Sequence, residues 1–469
     1  MTARLATALS AFALAGCVAG PPPEIATPAP VLPDGYLYAP SPGEQASIAA
    51  LLPDDDPAFE QLASAALAQN PSLAQALARI DQARANARRA GAERLPAIGA
   101  EASVVGQRLN PAQFGGALPP GIEFDTEQVS YGANLTARWD PDIFGRLRAQ
   151  EQAARLRIDA AEADAAAVRL ALLAEIAANV IDYRTLAARA AELQSDLEAA
   201  SDLARLAGVR ERAGIAPGFD RVRAEAQAAA SRSRLETLES ERVRLVGQLV
   251  TLSAQGGAKV RTALALTRPA TELPPAPATA PSLLLVNRPD ILQAAAQLAA
   301  ADAELAATAR QRFPNLSLSA TVGLLAFGLG DLFDENSIIG TLAASVAAPL
   351  LDFGRIEAEI DGAAAGKRIA FQQYRGAVFQ ALGDAETAYG LVGAADREAA
   401  AAIAQRDSAQ RAARLANTRY EAGLADFLTV LEARRTADAS GEQAAAAVGR
   451  ARRARVLLWQ ALGGGVPDR

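Results

Sequence analysis

The sequence predicts a mainly helical fold with a smaller β part, built as two copies of one unit: a helix, a strand pair and a long helical hairpin. Three observations predict it. Punctuation residues recur in the same order, four segments alternate apolar and polar residues, and two stretches lack proline over lengths far beyond an ordinary helix.

The recurrence is direct. Asn70-Pro71 is answered by Arg288-Pro289, Arg94-Leu95-Pro96 by Arg312-Phe313-Pro314, Ile143-Phe144-Gly145-Arg146 by Asp352-Phe353-Gly354-Arg355, and Ala213-Gly214-Ile215-Ala216 by Ala422-Gly423-Leu424-Ala425. Pro71 and Pro289, like Pro96 and Pro314, stand 218 positions apart; Gly145 and Gly354, like Gly214 and Gly423, stand 209 apart. The nine-residue difference falls between the proline mark and the Phe-Gly-Arg mark, which locates a length-tolerant loop there.

Within each unit the opening helix comes first, over Asp56–Ala92 in the first copy, with Pro57 suited to its first turn. Period 2 follows. Ile98, Ala100, Ala102 and Val104 alternate with Gly99, Glu101 and Ser103, and Val129, Tyr131, Ala133, Leu135, Ala137 and Trp139 alternate with polar or small residues. Leu316 to Leu324 repeats the pattern, and Ile338, Leu342, Ala344 and Val346 give a weaker fourth case. Such runs are strands with one apolar face. Their length is close to the ~9–11 residues a tilted strand needs to cross a bilayer. A pair of soluble hairpins packed on helices would show the same alternation.

The period then turns helical. Neither Arg146–Ala216 nor Arg355–Val466 contains proline, and a helix of ~65 residues extends ~100 Å. Leu173, Ile176, Val180 and Tyr183 form a 3-4-3 stripe that Leu382, Ala385, Tyr389 and Val392 repeat in the same register, as a coiled-coil seam does. The glycine marks break each long helix, and second helices run to about Gln255 and Gly463, which makes two αα-hairpins.

Composition limits function. The chain has 469 residues, no histidine, one cysteine and one methionine. General acid–base and metal chemistry lean on histidine, so neither an enzyme, a metal site nor a cofactor is expected. A net charge of −7 gives no reason to expect nucleic acid. Aromatic residues are only 5%, which suits alanine-rich helices packed closely. The N-terminus reads as an export signal: Arg4, then an apolar run from Leu5 to Ala15. Leu14-Ala15-Gly16-Cys17 resembles a bacterial lipobox, which makes Cys17 the expected lipidation site, carrying several acyl chains, palmitate among them. An ordinary signal peptide with a chance cysteine is the alternative. Val18, in place of Asp, resembles the sorting signal for the outer membrane.

The expected organisation is a signal peptide over 1–16, a lipidated Pro-rich leader over 17–57, a first repeat over 58–256, a Pro-rich connector over 257–281, a second repeat over 282–463 and a tail over 464–469. Within the repeats the strand pairs fall at about 97–140 and 315–349, and the hairpins at 146–256 and 355–463.

Four strands in a membrane cannot close by themselves, because an open edge leaves unpaired backbone groups in lipid. Two chains would supply eight strands and three would supply twelve, and the pattern does not choose between them. The order of these segments, with Trp139-Asp140-Pro141-Asp142-Ile143-Phe144-Gly145-Arg146, Pro349 to Arg355, and Arg419-Tyr420-Glu421-Ala422-Gly423 running into Phe427 to Glu432, resembles the outer-membrane factor family (TolC/OprM/NodT-type efflux lipoproteins) over nearly the whole mature chain. The resemblance implies a homotrimer sharing a twelve-stranded transmembrane β-barrel, with a periplasmic α-barrel beneath it. It further implies a passive exit duct for small molecules such as drugs, working with a periplasmic adaptor (membrane fusion) protein and an inner-membrane efflux pump of a tripartite RND system. A structural periplasmic coiled-coil lipoprotein without a pore, or a type I protein-secretion duct, is the alternative.

The resemblance also places a gate just after the second hairpin turn. Its acidic position nearest the tip falls on Thr429, where TolC-like members carry Asp, and the next falls on Glu432. Leu428-Thr429 resembles the apolar ring of OprM-like members, and Tyr420 is a candidate brace of the closed tip by hydrogen bonding. Three Glu432 carboxylates around an axis would repel one another and favour hydrated cations; otherwise Glu432 is a solvated helix residue near Arg435. The turns Gly214-Ile215-Ala216 and Gly423-Leu424-Ala425 are the implied adaptor-docking tips. Arg205, Arg210, Arg212, Arg221 and Arg223 crowd the first tip, and Arg411, Arg414, Arg419, Arg434 and Arg435 the second. Solvated helix faces or contacts to an acidic adaptor are the two readings.

Overall fold

The computed structural model describes residues 24–41, 47–108, 110, 127–215, 217–267 and 272–464. Cys17, Ala216, the signal segment and loop residues 111–126 lie outside them. Two compact units are present: Met1–Pro28, Asp81–Asp159 and Ala296–Gln372 in one, and Ala29–Ile80, Ala160–Ala295 and Gln373–Arg469 in the other.

The first unit carries the four strands, β1 (Ala97–Arg108), β2 (Glu127–Trp139), β3 (Asn315–Ala326) and β4 (Ile338–Ala347), in one antiparallel sheet of order β1-β2-β3-β4. The register decides what the alternation means. Ile98 pairs with Ala137, Ala137 with Ala320, and Ala320 with Leu342; the next row is Ala100, Leu135, Val322 and Gly340. The apolar sets of all four strands therefore share one continuous face. Ile98 is 78% exposed, Leu135 54%, Val322 56% and Leu342 85%, so much of that face is left open by the described residues. The opposite face carries Thr136, Thr321 and Thr341 in one row, and Ser317 and Ser345 with their hydroxyls 2.7 Å apart.

Helices supply the rest: α1 (Pro57–Gln69), α2 (Pro71–Ala92), α3 (Arg146–Arg212), α4 (Gly218–Ser253), α5 (Gly257–Ala265), α6 (Pro289–Ala309), α7 (Arg355–Glu421) and α8 (Phe427–Ala461). Both α3 and α7 have 67 residues. Each starts on an aspartate that satisfies orphan amides of the first turn. Asp142 accepts from the Leu147 and Arg148 amides at 2.9 and 2.8 Å, and Asp352 from the Gly354 and Ile356 amides at 3.2 and 2.9 Å. The Ile356 amide foremost holds the Asp352 carboxyl below the usual carboxylate range. An arginine preceding each strand pair then reaches the helix that follows: Arg94 to buried Glu151, and Arg312 to Glu357.

In the second unit Ile176, Val180, Ala385, Tyr389 and Val392 are buried in the main apolar cluster, with Leu173, Tyr183 and Leu382 packed against it. A separate seam of Leu186, Leu193, Leu238 and Leu245 joins α3 to α4 at heptad spacing. The hairpins are fastened at equivalent points. Asn70 donates its side-chain amide to the Leu252 carbonyl at 2.9 Å, and Arg288 donates to the Ala461 carbonyl at 3.0 Å. Those carbonyls, 209 positions apart, lie in the last turns of α4 and α8, where no intrahelical donor remains. Two further arginines hold the connector: Arg184 bonds Asp56 and the Leu264 and Leu266 carbonyls, and Arg455 bonds Asp396 and the Pro274 carbonyl.

Two expectations need correction. Asp56–Ala92 is not one helix: Asn70 is extended (φ −66°, ψ 124°), because Pro71 removes an amide and disfavours the α region before it. Asn70 instead caps α2, accepting from the Ser72 amide at 2.8 Å. The Pro-rich connector also opens with a helix, α5. The prolines begin only at Pro269, and Val260, Ala263 and Leu264 give α5 a buried face.

One glycine in the sheet is fixed by its neighbour. A Cβ on Gly323 would stand 2.4 Å from the Ala133 carbonyl oxygen and 2.7 Å from Asn134 Cα, whereas one on Gly340 would meet nothing within 4 Å. Gly323→Ala is expected to destabilise the detergent-solubilised protein by about 1–3 kcal/mol, and Gly340→Ala by no more than ~0.5 kcal/mol, measured by thermal unfolding. Equal effects at the two positions would contradict the register.

Candidate functional site: the hairpin tips

Both tips close by the same hydrogen-bond pattern. At the end of α3 the Gly214 amide donates to the Glu211 carbonyl at 2.9 Å and the Ile215 amide to the Arg210 carbonyl at 2.9 Å. At the end of α7 the Gly423 amide donates to the Tyr420 carbonyl at 3.0 Å and the Leu424 amide to the Arg419 carbonyl at 2.7 Å. This is the Schellman arrangement, and it needs the left-handed glycines at φ 72° and 73°. It also turns an apolar residue outward: Ile215 is 75% exposed and Leu424 69%.

Beyond the second turn, Asp426 caps α8 by accepting from the Thr429 amide at 2.7 Å, and that residue holds the Asp426 carboxyl below its usual range. The cap fixes the register of the first turns. Leu428, Thr429 and Glu432 lie on the exposed side of α8, at the i, i+1, i+4 spacing of one helix face. Glu432 forms no ion pair among the described residues, with Arg435 or any other cation.

Tyr420 goes the other way. It is buried with Leu203, Ala207, Ala224, Phe427, Val430 and Leu431, its ring edge-on to Phe427 at 6.2 Å and under the Arg210 guanidinium at 4.5 Å. Its contacts there are made by the ring. Several tip arginines are engaged similarly. Arg223 lies over Phe219 at 5.3 Å, Arg221 pairs with Glu211 and Glu225 at 2.8 and 2.7 Å, and Arg434 donates to Asn417 at 3.3 Å. Among the described residues no group of three or more Cys, Asp or Glu side chains is placed to hold a metal ion, and no helix there is long and apolar enough to cross a membrane.

Sequence reasoning missed one group of polar side chains above the second tip. Asp196 of α3 is buried and accepts from the Ser231 hydroxyl of α4, with the Gln227 amide at 3.5 Å. Asp438 of α8 faces it. The signal was present: Asp196 follows Leu193 by three and precedes Ala200 by four, so it occupies a seam position.

These features meet a family description. The model of the outer membrane efflux proteins matches residues 62–255 and 280–464. The pyoverdine export outer membrane protein OpmQ of Pseudomonas aeruginosa is 33% identical over 413 residues, with 87% of this chain and 85% of that protein covered. Outer membrane protein OprJ of the same organism is 31% identical over 418 residues, with the same coverage. The solved outer-membrane channel OprN superposes with a TM-score of 0.84 at 26% identity, covering 95% of this chain and 99% of that one. The chain belongs to the outer membrane efflux protein family. It is an outer-membrane efflux channel that extends into the periplasm, and its family are channels, not enzymes.

The Tyr420 ring is buried at the tip against Phe427 and Arg210. Tyr420→Phe is expected to change stability by less than ~0.5 kcal/mol, and Tyr420→Ala to cost about 3–5 kcal/mol, measured by denaturant unfolding. A large loss in the Phe variant would assign the brace to a hydrogen bond instead.

Proposed function

We propose that three copies of this chain associate, that their sheets close into one twelve-stranded barrel in the outer membrane, and that the hairpins form a periplasmic duct gated at the tips. The observation that carries this reading is the sheet: a continuous, largely open apolar face, a polar opposite face and two open edges. Lipid suits the first, a water-filled lumen the second and neighbouring chains the third.

The duct is the exit of a tripartite efflux system. Small-molecule cargo is supported by relatives named for export of pyoverdine and efflux of solvents and toluene. The exposed apolar residues Ile215 and Leu424 suit docking of a periplasmic adaptor at the turns, with an inner-membrane pump behind it. Acylation of Cys17 would add a second hold on the membrane.

At the gate, Leu428 and Thr429 narrow the opening and Glu432 sets its charge. Three carboxylates around one axis favour cations over anions. Glu432→Ala in planar bilayers is therefore expected to reduce cation preference while conductance persists. Unchanged selectivity in that variant would remove Glu432 from the gate.

A further inference from the structure

Four helices of the second unit converge on a cluster whose charges do not balance. Asp196 and Glu192 come from α3, Asp438 and Arg434 from α8, and the neutral Ser231 and Gln227 from α4; from α7, Asn417 accepts from Arg434. Three carboxyl groups thus face one guanidinium. Glu192 lies against α8 at Gly441, where a Cβ would stand 2.6 Å from its Oε2. The Asp438 Oδ2 and the Arg434 Nε are shut off from solvent with no hydrogen-bond partner among the described residues.

An ionised Asp438 leaves its Oδ2 without a donor as the side chains stand. Its oxygens only accept, and so do those of Asp196, whose Oδ2 already takes the Ser231 hydroxyl and the Gln227 amide. Like charges meeting in a dehydrated helix interface repel strongly, and one proton removes both problems. A protonated Asp438 carries a hydroxyl that donates to Asp196 across the α3–α8 seam.

We infer that Asp196 and Asp438 form a buried proton-binding site that ties α8 to α3, so that the packed hairpins take up one proton and release it when they separate. The consequence for gating rests on the duct reading above, since α8 also carries Glu432; the proton site itself does not.

Burial, with Asp196 adding to it, pushes the Asp438 carboxyl up to about 8, against ~3.9 for a hydrated aspartate. The packed arrangement therefore binds more protons than the separated one between those values. The contribution of this carboxyl to its stability is greatest below about pH 4, falls as pH rises and levels off above about pH 8. Separation in water exposes both carboxylates, so opening costs least on the alkaline side.

Hydrogen–deuterium exchange on the full-length protein in detergent tests this, reading peptides that cover 192–200, 227–235 and 434–444 and correcting for intrinsic exchange chemistry. In the wild type, protection is expected to fall by up to about tenfold per pH unit between pH 6 and 8 and to flatten above it. Asp438→Asn keeps a donor without titrating, so its protection is expected to be pH-independent. Asp196→Asn removes the neighbouring charge but leaves Asp438 buried, so its slope is expected to weaken and to end at a lower pH than in the wild type, which covers the case that Asp438→Asn fails to fold. A wild-type profile that is flat, or a sloping one that both variants retain unchanged, would overturn the site. Bilayer conductance of the same preparations reads the duct separately: absence of any pore in protein with the sloping profile would sink the duct reading and leave the proton site standing.

Discussion

An antiparallel sheet whose spatial order repeats its chain order, β1-β2-β3-β4, ends on two strands with one side unpaired. Every second residue on those sides offers an amide and a carbonyl that no described strand pairs. In water such an edge is a solvated hazard; in hydrocarbon each bare group costs several kcal/mol. The apolar face of this sheet belongs in hydrocarbon, so its edges require matching strands from elsewhere. No further strand is present among the described residues, and other copies of the chain are the natural source. On the trimer reading proposed above, association is a condition of membrane insertion.

The duplication extends beyond sequence marks to the way each copy is tied down. Asn70 and Arg288 are different residues at equivalent places, yet each precedes a proline and each donates to a carbonyl in the last turn of its hairpin's second helix. The amide makes one such bond and caps α2, while the guanidinium reaches Asp290 and Asp384 as well. The tips share a Schellman closure but differ past it. Asp426 caps α8, whereas α4 starts after Pro217 with no side-chain cap. The second hairpin thus has the more firmly set first turn, the one that presents Leu428, Thr429 and Glu432.

Much of this was legible in the sequence because local patterns decide it. Period 2 marks all four strands, glycine marks both turns, and missing prolines mark α3 and α7. Pro71 was equally visible, yet the helix expected over Asp56–Ala92 ran through it where there are two. The helix α5 was hidden by the prolines that follow it. Pairings between distant helices are another matter. The meeting of Asp196 with Asp438 depends on how α3 and α8 slide past each other, and no local pattern records that. A charged residue in an otherwise apolar seam was the one clue available.

The most direct test of the central claim is the mass of the intact assembly released from detergent, determined by native mass spectrometry. Three chains per particle, folded and requiring detergent to remain soluble, is the predicted result. A folded monomer, or a dimer that supplies only eight strands, would contradict it.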